Sequence, residues 1–364
     1  MRGERVKGIR LVWATAAFAA CAHSIPEAPT PVVIDARPEG PAAEPIRSVE
    51  HDAPVFRRPP GPPLPLPDVP VRLDPARPLQ AGAVVVRVRQ PAGPALESPS
   101  LAVAGRPVVL APSTDGWVGI AALPLDSAGY QPVELVYRRA GRSEEKTFVV
   151  PVIPRVYPST RIRISGGRRW DPEVDARIAR ERALIDEALR SSGPEWLPRE
   201  PFEWPRPAVR TSPFGQRRTF NGNLASRHMG LDLRGRSGEP VRAPAAGLVV
   251  LTGNFYYQGN AVYLDHGLGV VSAYFHFSRT DVEMGDLVEA GQVIGAVGST
   301  GRSTAPHLHW SAYVGGTNID PESLIGLTLF PVDERASTSP GFEDPPGLAP
   351  PPTGGDAPGP MSRP

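Results

Sequence analysis

His228-Met229-Gly230-Leu231-Asp232 and, far downstream, His307-Leu308-His309 hold the residue types best suited to do chemistry in this chain. Two histidines and a carboxylate make the ligand set of a catalytic zinc site, in which three side chains hold the metal and a fourth position stays open to water. The chain has 7 histidines. His228, His276, His307 and His309 all fall in one glycine-rich, β-patterned region, a clustering that core packing does not explain. Alternate side chains of an extended segment share a face. His307 and His309 therefore point together if they lie on a strand, and His228 and Asp232, four apart, share parity if their segment is extended. One sheet face would then present His228, Asp232 and His309 to a metal, with His307 beside it. His276, in the strand-like run from Ala273 to Phe277, could reach the same face.

These parts suffice for amide hydrolysis. Zinc lowers the pKa of bound water to roughly 7 and polarises a carbonyl. A histidine base takes the water proton and passes it to the leaving amine, and a second imidazole can hydrogen-bond the developing oxyanion. Neither His-x-x-x-Asp nor His-x-His is specific alone; their joint occurrence with a third nearby histidine points to a metal. His266, in Leu264-Asp265-His266-Gly267, sits at a strand-to-turn signal and reads as a turn residue satisfied by local hydrogen bonds. His23 and His51 lie in the leader and carry no inference.

The elements that must position these residues are mainly β. From Arg210 to about Leu327, runs such as Gly247–Leu251, Ala261–Leu264, Val270–Phe277 and Gln292–Gly295 read as strands separated by glycine turns, giving an antiparallel β-rich domain over 210–327. Upstream, Val84–Arg89, Pro107–Leu110, Trp117–Ile120, Val133–Tyr137 and Thr147–Val150 are short strands with turn signals between them. They predict a small β-sandwich of immunoglobulin-like type over 81–156, without a catalytic constellation. A linker over 157–209 carries the one helix. Asp171 is its N-cap, Pro172 its first helical residue, and Val174, Ile178, Ile185 and Leu189 its apolar face. Residues 23–80 are proline-rich and read as an extended, disordered spacer, and 328–364 as a disordered Pro/Gly-rich tail.

Composition bounds the compartment and the partners. With 39 Lys+Arg against 38 Asp+Glu in 364 residues, no nucleic-acid role is indicated. Arg2, Arg5, Lys7 and Arg10 precede an apolar run from Leu11 to Ala20, which reads as an export signal over 1–22. Phe18-Ala19-Ala20-Cys21 resembles a lipobox, and lipidation of Cys21, the sole cysteine, would attach the chain to a membrane. Cleavage after Ala19 or Ala22 is the alternative. Either way the expected location is the periplasm or cell envelope.

Taken together, Arg227-His228-Met229-Gly230-Leu231-Asp232, Ala243-Pro244-Ala245-Ala246-Gly247, Tyr274-Phe275-His276, Gly291-Gln292-Val293-Ile294-Gly295 and the run from Gly298 to His309 resemble the lysostaphin/LytM family of zinc endopeptidases, over about Thr211 to Asp320. The resemblance implies that His228, Asp232 and His309 bind one zinc per chain and that His307 and His276 assist catalysis. It implies cleavage of peptide cross-links in peptidoglycan, in the D,D-endopeptidase manner if the envelope is Gram-negative, with envelope regulators as candidate partners. All five positions are kept, unlike in degenerate members that act as regulators. The rival function is a non-hydrolytic cell-wall binding protein or an activator of another hydrolase. A lipoyl-type carrier, suggested by the hairpin around Gly285–Gly295, fails because no lysine follows Lys146. Tyr256, Tyr257, Phe220 and Asn223 flank the motifs and are candidates for the groove wall.

Overall fold

The computed structural model describes residues 71–91, 94–162, 171–220 and 223–329; the export signal, Cys21 and the tail from 330 onward lie outside them. Eight strands come first: β1 (Val71–Asp74), β2 (Ala83–Arg89), β3 (Leu96–Val103), β4 (Arg106–Val108), β5 (Leu110–Ser113), β6 (Gly116–Ala122), β7 (Gly129–Arg139) and β8 (Arg142–Val152). They form two four-stranded sheets of order β1-β2-β6-β5 and β4-β3-β7-β8. Val84, Val86 and Val88 meet Leu101, Leu135, Phe148 and Val150 between the sheets in one buried cluster.

Two sequence expectations change here, and one strand went unread. The spacer assignment does not hold for its last part: Val71–Asp74 alternates buried and exposed residues and pairs antiparallel with β2. The single strand expected over Pro107–Leu110 is two, β4 and β5, because the chain leaves one sheet at Val108 and joins the other at Leu110. Strand β3 carries Pro99 and a left-handed Ser98, φ 48°, and its pairing with β7 shifts register there. Proline and the irregular backbone hid it from a period-two pattern.

The outer face of β2 and β6 is covered as well. Ala83, Val85, Val118 and Ile120 join Leu268, Val270, Ala312, Val314 and Ile319 of the downstream region in a second buried cluster. Ala81 accepts a hydrogen bond from the Asp320 amide at 2.7 Å, and Arg155 pairs with the buried Asp320 carboxylate. The sandwich and the downstream region therefore share a core, each fully buried Val or Ile contributing roughly 1.5–3 kcal/mol.

The linker holds β9 (Ser159–Ile162) and α1 (Pro172–Arg190). Asp171 caps α1 by accepting from the amides of Glu173 and Val174 at 3.0 and 3.3 Å. Leu189, with Ile185 beside it, packs among Phe255, Tyr263 and Val271. After the helix, Ser192 and the Gly193 amide bind the Asp265 carboxylate, clipping the linker to the next sheet.

The rest of the chain comprises β10 (Arg210–Ser212), β11 (Arg217–Phe220), β12 (Asn223–Arg227), β13 (Leu231–Arg234), β14 (Pro240–Arg242), β15 (Gly247–Phe255), β16 (Gly259–Gly267), β17 (Val270–Phe277), β18 (Arg279–Thr280), β19 (Leu287–Val288), β20 (Val293–Ala296), β21 (His307–Val314) and β22 (Thr317–Ile319). The main sheet runs β10-β13-β21-β17-β16-β15-β19, with β22 on β21. Two small sheets, β12-β11-β9 and β14-β20-β18, flank it. Leu231, Leu233, Val262, Tyr274, Leu308 and Trp310 are buried together against its inner side.

Candidate metal centre

Strand register brings the motif residues together. On neighbouring antiparallel strands Asp232 stands opposite His309 and Arg234 opposite His307. Phe275 stands opposite His309 on the other side, its ring stacked on the imidazole at 5.1 Å and 6°. His228 arrives differently from expectation. It does not lie on a strand with Asp232; it follows the end of β12 and turns in through Met229 and Gly230. The parity argument therefore holds for His307 and His309 but not for His228, whose position is set by a turn. Gly230 makes that turn possible: a Cβ there would lie 2.3 Å from His309 Nε2.

The result is a triangle of donor atoms. His309 Nδ1 is 2.8 Å from Asp232 Oδ1, His228 Nε2 is 3.1 Å from His309 Nδ1, and His228 Nε2 is 3.1 Å from Asp232 Oδ1. Hydrogen-bond partners assign the tautomers. His228 Nδ1–H donates to the Pro213 carbonyl at 3.1 Å, so Nε2 carries the lone pair. Ser311 Oγ–H donates to the Met229 carbonyl, so its oxygen accepts from His309 Nε2–H at 2.9 Å and leaves the lone pair on Nδ1. Two imidazole lone pairs and a carboxylate oxygen thus converge with no hydrogen of their own between them, an arrangement that a cation relieves. Ligand atoms about 2.0 Å from a tetrahedral zinc lie about 3.3 Å apart, so the edges seen need only a small expansion. The donor set fits the metal.

The electrostatics of the metal-free chain agree. Burial pushes the Asp232 carboxyl up, but without a metal a proton taken up by either ring makes it a hydrogen-bond donor and a positive charge facing the carboxylate, which outweighs burial and holds the carboxyl well below the usual range. Burial pushes His309 down to about 4.

The two remaining motif histidines line the same opening. His307 Nδ1–H donates to the Ala305 carbonyl at 2.8 Å, which leaves Nε2 as the acceptor, 3.5 Å from Asp232 Oδ1. Its side chain is 18% exposed against 14% for Asp232, so solvent reaches it. The His276 ring lies 4.8 Å from that of His307 and 6.1 Å from that of His309. Its Nδ1–H donates to the Thr300 carbonyl at 2.8 Å, and burial lowers its pKa. His276 is left-handed, φ 65°, a conformation rare outside glycine and concentrated at functional sites. Gly259, φ 64°, lets the hairpin end of β15–β16 touch the Thr300 backbone, where a Cβ would come within 2.3 Å.

Other expectations fare variously. His266 is hydrogen-bonded, as the strand-to-turn pattern suggested, but in the core rather than in a turn. Fully buried, it donates from Nδ1 to the Ala246 carbonyl and accepts at Nε2 from Ser272 Oγ, both at 2.7 Å, with its ring edge-on to Phe202. Tyr256 packs edge-on to Tyr257 at 5.0 Å, and the guanidinium groups of Arg177 and Arg302 cover the two rings. Phe220 and Asn223 pair through their backbones; their side chains lie outside the described residues.

The supporting shell went unread in the sequence. Ser212 Oγ lies 3.1 Å from His228 Nδ1 and donates to Gln216 Oε1 at 2.5 Å, and Gln216 Nε2 donates to Thr160 Oγ1 at 2.8 Å. Thr160 sits on β9, which pairs parallel with β11. A tether thus runs from the linker to a metal-ligand candidate. Single polar residues at unremarkable spacing carry no sequence signal of such a role.

A β-rich fold with a two-histidine, one-carboxylate metal centre flanked by two more histidines defines the class. Residues 226–321 match the model of peptidase family M23. The DD-carboxypeptidase/endopeptidase Mpg of Neisseria meningitidis is 42% identical over 114 residues, 31% of this chain and 26% of that protein. Lysostaphin of Staphylococcus simulans is 45% identical over 97 residues, 26% of this chain and 19% of that protein. A crystal structure from Pseudomonas aeruginosa, described as a peptidase M23, is 30% identical with TM-score 0.52 over 69% of this chain and 96% of its own. This chain belongs to peptidase family M23. It spans about a quarter of the length of the curated relative Mpg. Among the described residues no helix is long and apolar enough to cross a membrane.

Proposed function

We propose that the protein is an exported zinc metalloendopeptidase that hydrolyses peptide cross-links of peptidoglycan, in the D,D-endopeptidase manner. The observation that carries the reading is the convergence of His228 Nε2, Asp232 Oδ1 and His309 Nδ1 within 3.1 Å of one another, with the acceptor nitrogen of His307 3.5 Å from the same carboxylate. The names of the relatives, an endopeptidase and a lysostaphin, support the substrate class.

In this reading His228, Asp232 and His309 hold one zinc. When bound, the metal supplies a Lewis acid for the scissile carbonyl and acidifies the attacking water. His307, with Nδ1–H committed to Ala305, accepts the water proton at Nε2 and returns it to the leaving amine. His276 faces the developing oxyanion. To donate there it must carry a proton on Nε2 as well as Nδ1, a state that the Thr300 carbonyl favours and burial opposes. Ser311 and Pro213 fix which nitrogen of each ligand ring is free. A lipidated Cys21 would tether the enzyme to a membrane through the proline-rich leader; Cys21→Ser would then move the protein to the soluble fraction, and unchanged fractionation would count against the anchor.

The test is digestion of purified sacculi by the zinc-loaded protein, with products read by mass spectrometry. Conversion of cross-linked dimers to monomers, abolished by a chelator and restored by zinc, is the expected result. Intact sacculi with one zinc bound per chain would overturn the hydrolytic reading.

A further inference from the structure

Charge is evenly balanced over the whole chain but not around the metal centre. Residues 155–170 contain Arg155, Arg161, Arg163, Arg168 and Arg169, and residues 204–231 contain Arg206, Arg210, Arg217, Arg218 and Arg227; neither stretch has an aspartate or glutamate. The two stretches meet in the sheet β12-β11-β9. Some of this charge is neutralised from elsewhere: Arg155 by Asp320, Arg206 by Glu239 and Arg210 by Glu322.

Arg217 and Arg227 are different. Among the described residues neither has a carboxylate partner. Arg217 and Arg227 stand directly opposite each other on antiparallel strands, and like charges so placed destabilise a sheet. Arg227 shares the Tyr157 ring with Arg155, each guanidinium 5.9 Å from its centroid. The cluster also borders the metal centre. Arg227 is the residue before His228, and the Gly215 amide and Gln216 carbonyl, next to Arg217, bond the His228 backbone at 2.8 and 2.9 Å.

We propose that Arg217 and Arg227, which share one face of this sheet, form a docking surface for the carboxylate-bearing peptides of peptidoglycan, leading them to the metal centre. The inference rests on the peptidoglycan reading above. A like-charged arginine pair adjoining His228, with no carboxylate partner among the described residues, is relieved by a polyanionic partner, and planar guanidinium groups match carboxylates in geometry. The surface acts on capture of the insoluble polymer rather than on bond cleavage.

The test uses the zinc-loaded full chain in a His307→Ala background, so that binding is measured without cleavage, by co-sedimentation with purified sacculi. Arg217→Gln removes one exposed charge while leaving Arg227 and its ring contact in place. At low salt this should weaken binding about two- to fivefold, given the modest worth of an exposed ion pair, while Arg217→Lys should retain it. High salt should weaken wild-type binding towards the level of the Gln variant. Sacculi whose carboxylates have been converted to amides should bind wild type no better than they bind the Gln variant. Equal binding by wild-type and Gln proteins would overturn the surface, and undiminished binding to amidated sacculi would overturn the carboxylate as its ligand. Cleavage by the chain with His307 intact is scored separately. Intact sacculi there, with arginine-dependent binding here, would remove the hydrolytic reading and leave the surface standing.

Discussion

Gly230→Ala is the sharpest test of how the metal centre is built. A Cβ at this position would lie 2.3 Å from His309 Nε2, 2.6 Å from its Cε1 and 2.7 Å from Ser311 Oγ. Ordinary van der Waals contact begins near 3.4 Å, so the ring or the turn must move by about 1 Å. The ring has little room: Phe275 stacks on one face at 5.1 Å and His228 meets it edge-on at 4.9 Å. Moving it breaks the Nε2–Ser311 hydrogen bond and pulls Nδ1 out of the triangle whose shortest edge is 2.8 Å. Metal ligation tolerates about 0.2 Å, and losing one supporting contact costs about 10- to 100-fold in metal affinity. Overpacking itself should cost about 1–3 kcal/mol. Zinc affinity by competition with a chromophoric chelator should therefore fall at least tenfold, and the melting temperature of the chelated protein should drop by several degrees. Gly238→Ala is the control, since its φ of +90° is unfavourable for alanine but nothing lies within 4 Å of the added carbon; it should lose some stability and no zinc affinity. If Gly230→Ala binds zinc within threefold of wild type, the close approach of residue 230 does not fix His309, and the account of the turn is wrong.

Three further predictions concern the same architecture. His309→Ala should abolish zinc binding, whereas His307→Ala should keep the metal, measured by elemental analysis, and lose about 10²- to 10⁴-fold in turnover; unchanged turnover would remove His307 as the base. Gln216→Ala, which cuts the tether between Thr160 and Ser212, should weaken zinc binding about tenfold; an unaltered affinity would show that Pro213 alone orients His228. His266 should make stability acid-sensitive. Burial lowers it from 6.5 to about 4, so between those values the unfolded chain binds a proton that the folded chain refuses, and stability falls as pH drops from 6.5 towards 4. The loss attributable to His266 is about 3 kcal/mol by pH 4. Denaturant melts at pH 7.5 and 4 should show that much more acid sensitivity in wild type than in His266→Gln, and equal sensitivity would refute the assignment.

The four motif histidines and the carboxylate were legible because each lies in a short segment whose residue types are chemically specific. Period-two reasoning also served where a strand is regular: β17 runs over Val270–Phe277 as expected, and β21 carries His307 and His309 on one face. It failed where function bends the chain. His228 sits after a strand, and its place depends on Gly230 and on the pairing of Gly215 and Gln216 with its own backbone. Ser212, Gln216, Thr160 and Ser311 were invisible because their roles exist only once distant strands come together; β9 and β11 pair across more than 50 intervening residues. The covered outer face of β2 was legible in principle. Ala83-Val84-Val85-Val86 is apolar without alternation, the mark of a strand buried on both sides, whereas a sandwich edge open to water would have alternated.

That covered face has a mechanical consequence. A module joined only by a flexible linker would let the cleft swing and sample many orientations. Here Val85 and Ile120 are wedged against Val270 and Ala312, and β17 and β21, which hold those two residues, also hold His276, His307 and His309. Any load taken up by the sandwich reaches the strands that bear the metal-centre histidines without passing through a hinge. The cleft should therefore keep a fixed aim relative to the sandwich, like a blade set in its handle.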